Sequence, residues 1–101
     1  MQRNVDPMAR PPGAVYLQAA RAFLNGGDIG TWYSDIKVPQ GKLVEIAEAF
    51  RAQDLSEPDT VCMLTPVSLL ATLGAHLATE AVKLKLGEAI RALNWVYAEQ
   101  A

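Results

Sequence analysis

From Thr60 to Thr79 the chain runs for twenty residues without an Asp, Glu, Lys or Arg. Apolar surface of that extent must be covered by a membrane, by the rest of the chain or by another molecule. The length would suit a spanning helix, which needs about 20 predominantly apolar residues. The content does not, because Thr65, Pro66, Ser68, Thr72 and His76 interrupt it. A buried interface helix is the better expectation, with no membrane as partner.

Thr65-Pro66 opens that helix, since Thr caps well and Pro is favoured at the first helical position. The pattern then continues to about Glu99 with one interruption, Gly87. At roughly 100° per residue, Leu70, Leu73, Leu77 and Leu84 share one stripe. Ala71, Gly74, Ala78 and Ala81 form a neighbouring stripe of small side chains, with Thr72, His76, Glu80 and Lys83 opposite. Small residues at this spacing allow close helix approach. Packing within the chain and a homodimer seam explain the stripes equally well. In the second case Leu70, Leu73, Gly74, Leu77, Ala78 and Ala81 form the dimer interface. After Leu86 the apolar face shifts to Leu86, Ile90, Leu93 and Tyr97. Either the helix breaks near Gly87 or one long helix meets different neighbours along its length.

Upstream, Pro7, Pro11 and Pro12 make Met1–Pro12 read as a flexible tail, with no apolar stretch for a signal peptide. Residues 13–101 read as one domain. Gly13–Leu24 is a helix with Tyr16, Ala20 and Phe23 on one face, stopped by Asn25-Gly26-Gly27. Asp28 can cap a short helix carrying Ile29, Trp32, Tyr33 and Ile36, although the β-branched and aromatic content also allows an extended segment. A second clear helix runs from Pro39 or Gln40 to Gln53, with Leu43, Ile46, Ala47 and Phe50 apolar and an expected Glu48–Arg51 pair outside. Residues 59–64 could be a short extended segment. The fold class is therefore all-α: a small bundle of three to four helices with a long C-terminal helical region.

The chemistry-bearing residues are few. The single histidine, His76, has Glu80 four residues on, and two such groups make no metal site. The single cysteine, Cys62, lies among Val61, Met63 and Leu64 with no basic neighbour to activate it. Asn25 to Gly30 lacks the strand and the Gly-Lys-Ser/Thr ending of a phosphate loop. No catalytic set, cofactor motif or metal site is expected. One cysteine in 101 residues favours a reducing compartment such as the cytoplasm. A net charge of −2, with nine basic and eleven acidic residues, disfavours direct nucleic-acid binding.

What remains is a protein that binds protein: a dimeric regulator or inhibitor that masks a partner, for example an anti-activator covering a DNA-binding regulator. Trp32, Tyr33, Ile36, Leu43 and Phe50 are the candidate partner-binding residues, because aromatic anchors concentrate binding energy. Core placement of Trp32 and Tyr33 is the competing reading. The alternative function is a helix-turn-helix DNA-binding regulator over residues 32–51. Its second helix would offer Gln40, Lys42 and Arg51 to DNA together with unfavourable Glu45 and Glu48.

Overall fold

The structure, a computed structural model, describes residues 10–100 and is helical, with no strand among them. Six helices follow one another: α1 (Ala14–Leu24), α2 (Ile29–Asp35), α3 (Gln40–Ala52), α4 (Pro58–Val61), α5 (Pro66–Leu73) and α6 (Glu80–Gln100). The all-α class stands, with two to three more helices than the periodicity suggests. Residues 59–64 are not extended. Glu57 and Pro58 start the single turn of α4, and turns carry the chain on to Thr65.

Local signals place most boundaries. Asn25 ends α1, and Gly26 follows at φ 99°, a conformation that costs glycine little. The Asp28 carboxylate accepts from the Thr31 amide and starts α2, settling that segment as helix. Thr65 and Ser68 form a reciprocal capping box at the start of α5.

The C-terminal region departs from the sequence reading. It breaks at Gly74, not at Gly87. Gly74 takes φ 79° and ψ 159°, a region essentially closed to other residues, and a turn over residues 74–79 follows. α6 then passes through Gly87 without interruption. Gly87 is exposed, and a Cβ added there would meet nothing within 4 Å. No close packing demands the glycine.

With the break at Gly74, α6 has its own phase. Val82, Leu86, Ala89, Leu93 and Val96 are buried at i, i+4, i+7, i+11 and i+14, the inner face of a core helix. α1 lies along α6. Its start is near Glu88 and Arg91 and its end at Glu99, where Arg21 pairs with that carboxylate at 2.9 Å, so the two helices run in the same direction. α2 packs on α1, and α5 bridges α3 and α6.

A row of rings joins the first three helices. Phe23 of α1 stacks on Trp32 of α2 at 5.1 Å, Trp32 meets Tyr33 at 5.8 Å, and Tyr33 meets Phe50 of α3 edge-on at 5.7 Å. Such pairs add about 0.5–1.5 kcal/mol each beyond area burial.

Of the twelve residues expected in the tail, the first nine lie outside the described residues. Pro12 is buried, and the Arg10 carbonyl accepts from Arg91 Nη1 at 2.7 Å. The same guanidinium grips Glu88 through both carboxylate oxygens, which holds that carboxyl below its usual range. Pro12 therefore packs with the helices, and the Arg10 carbonyl is tied to α6.

Two buried polar atoms, Trp32 Nε1 and Tyr33 Oη, make no hydrogen bond to a described residue. Burial pushes the Tyr33 hydroxyl well above the ordinary phenol range. An unpaired buried hydroxyl costs about 1–3 kcal/mol. Tyr33→Phe is therefore expected to raise stability by about 1 kcal/mol, or about 4–8 °C in Tm for a domain of this size. A thermal melt followed by circular dichroism checks it, and a lower Tm would show that the hydroxyl has a partner in solution.

Candidate protein-interaction face

The residues singled out in the sequence are divided by the fold. Trp32, Tyr33, Ile36 and Phe50 are each 1 % exposed. They belong to the core, which is the competing reading of the adjacent aromatics Trp32 and Tyr33. A side chain so enclosed cannot touch a partner of the folded chain, so these four are not surface anchors. Leu43 is half-buried against the same core. The exposed side of α3 carries Val44, 67 % exposed, with Glu45 and Glu48 beside it.

The proposed dimer residues are divided too. Leu73, Leu77 and Ala78 are buried within the monomer. Gly74 is part-exposed in the turn, and only Leu70 and Ala81 face outward. Because the chain reverses after Gly74, the two stripes do not run along one helix. Ala71 and Gly74 belong to α5 and its cap, Ala78 to the turn and Ala81 to α6. His76 likewise sits in the turn, and Glu80 pairs with Lys83 at 3.4 Å. Cys62 is half-buried, and its thiol donates to the Asp59 carbonyl at 3.3 Å. Among the described residues no three His, Cys, Asp or Glu side chains gather as a metal site would require.

Apolar surface does remain uncovered around α5 and α6. The segment leading into α5 and α5 itself expose Met63 (76 %), Val67 (78 %) and Leu70, while α6 exposes Leu84 (64 %). Between the two helices lies a groove of about 150 Å³, lined by Leu64, Pro66, Leu69, Gly87 and Ile90, with Lys83 as its one charged wall. The absence of a side chain at Gly87 leaves α6 open at this point. The sequence signal for this face is the charge-free run itself. Its buried half is Val61, Leu69, Leu73, Leu77 and Ala78, and its outer half is Met63, Val67 and Leu70.

Among the described residues no helix is long and apolar enough to cross a membrane. Comparison with protein-family models, with curated proteins and with solved structures finds no match to this chain.

Proposed function

We propose that the protein is a non-enzymatic interaction module, a small homodimeric regulator or inhibitor that works by covering a surface of another protein. The observation that carries this reading is that α5, α6 and the segment leading into α5, which together form the groove, also expose Met63, Val67, Leu70 and Leu84. Large aliphatic side chains grouped on the surface of a small domain mark interaction sites. We place the dimer contact here, in place of the continuous stripe expected from the sequence, and a reducing cytoplasm remains the proposed compartment. A partner with a basic face, such as a DNA-binding regulator, suits the net charge of −2.

Light scattering at tens of micromolar tests the dimer. The wild type is expected at twice the chain mass and the double variant Val67→Asp/Leu84→Asp at the chain mass. The melting temperature should fall little beyond the loss due to dissociation, because both positions are exposed. A monomeric wild type would overturn the dimer. Affinity capture from the native host, with wild type and double variant compared, then tests the masking role.

One observation favours the helix-turn-helix alternative. α2 and α3 are joined by only Ile36 to Pro39, with Lys37 at φ 61°, and Tyr33 packs on Phe50 across the pair. Val44, Glu45 and Glu48 on the exposed side of α3 oppose phosphate contact. Salt-dependent retention on duplex DNA would favour this alternative.

A further inference from the structure

A second concave site lies away from the α5–α6 face. The end of α1 and the start of α2 form one wall, and the end of α3 with the lead-in to α4 forms the other. The cleft measures about 590 Å³, within the range of about 300–1,000 Å³ typical of small-molecule sites. Its charged lining is Asp28, Arg51 and Glu57, with Ser56 beside them.

These groups are not used up by the fold. The expected Glu48–Arg51 pair is not formed. The ion pairs among the described residues are Arg21–Glu99, Lys83–Glu80 and Arg91–Glu88. Arg51 instead lines the cleft. Asp28 spends one carboxylate oxygen on the Thr31 amide. The Glu57 carboxylate and the Ser56 hydroxyl make no hydrogen bond to a described residue. Behind this wall is the orphaned Tyr33 hydroxyl, and Arg51 and Asp28 are the charges that act on it. The apolar lining is Phe23, Leu24, Ile29 and Pro58.

We propose that this cleft binds a free α-amino acid with an apolar side chain. The carboxylate pairs with Arg51 and Ser56, the ammonium with Asp28 and Glu57, and the side chain rests on the apolar wall. The charge pattern selects this class. A bare carboxylate would meet two acids, and a bare amine would leave Arg51 uncompensated beside a like charge. A zwitterion answers both signs at once, and the carbonyl end of α1, which contributes Phe23 and Leu24, adds partial negative charge for the ammonium.

Titration of the full ¹⁵N-labelled chain with L-leucine tests the proposal, with 4-methylpentanoate and 3-methylbutylamine as the deaminated and decarboxylated controls. Saturable shifts are expected at Gly26, Gly27, Asp28, Arg51 and Glu57, with a Kd of about 1 mM or tighter. Each control should bind about tenfold weaker or worse. Arg51→Gln and Glu57→Gln should each weaken L-leucine by about tenfold while leaving the ligand-free melt unchanged, since both side chains are exposed. No saturable shift with L-leucine or L-phenylalanine, equal binding of either control, or full affinity in Arg51→Gln would each overturn it.

Discussion

Trp32→Ala is expected to destabilise the protein by about 3–5 kcal/mol. Trp32 is 1 % exposed, stacked on Phe23 and in contact with Tyr33, so its removal empties the junction of α1, α2 and α3. Neighbouring rings cannot close a void of that size without leaving their own contacts, and a cavity term therefore adds to the lost transfer energy. A small domain has about 5–15 kcal/mol in total. The melting midpoint should fall by tens of degrees, and in the weaker part of that range the variant would be largely unfolded at 37 °C. Urea unfolding and thermal melts measure the loss. An unchanged melt with weakened partner binding would return Trp32 to a surface role and contradict the burial described above.

That contrast shows how far the sequence could be read. Ile29, Trp32, Tyr33 and Ile36 stand at i, i+3, i+4 and i+7, which identifies an apolar helix face but not what covers it. Covering depends on where α1 and α3 lie, and no local signal encodes that. The capped starts at Asp28 and Thr65 were legible because a cap is made by residues three or four apart. The break at Gly74 was hidden for a related reason. Leu73-Gly74-Ala75-His76 contains no proline, Asn or Asp, and its leucines kept helical spacing across the turn. Gly87 drew the break instead because it sits where the apolar phase changes. The phase changes there only if α5 and α6 are joined into one helix. Taken alone, α6 keeps one face from Val82 to Val96.

The candidate sites follow the same division. The charge-free run announced apolar surface to be covered, and about half of it is covered by the chain's own core. The uncovered half was not separable beforehand, since Leu70 and Leu73 fall on one stripe of a continuous helix yet are 46 % and 2 % exposed. The cleft was invisible for a stronger reason. Arg51 had a ready local partner in Glu48, and only the packing of α3 on α2 through Phe50 and Tyr33, with the return of the chain through Ser56 and Glu57, gathers it into one cleft with Asp28.

Leu77→Asp separates a core role from an interface role at the position where the two readings differ most. Leu77 is 3 % exposed and lies in the turn that reverses the chain between α5 and α6. Among the described residues no lysine, arginine or histidine is buried, so a carboxylate introduced here finds no partner charge among them. Burying an unpaired carboxylate costs several kcal/mol, a large fraction of the stability of a small domain. The variant is therefore expected to lose its far-UV helical signal at neutral pH at every protein concentration. If Leu77 served only a dimer seam, the same change would give a helical monomer with a cooperative melt. Leu84→Asp supplies the control on the neighbouring helix. At 64 % exposure its charge stays in water, so the chain should remain helical, with only its self-association weakened. Circular dichroism with sedimentation velocity on both variants reads the two effects together. A folded monomeric Leu77→Asp protein would overturn the placement of Leu77 in the monomer core.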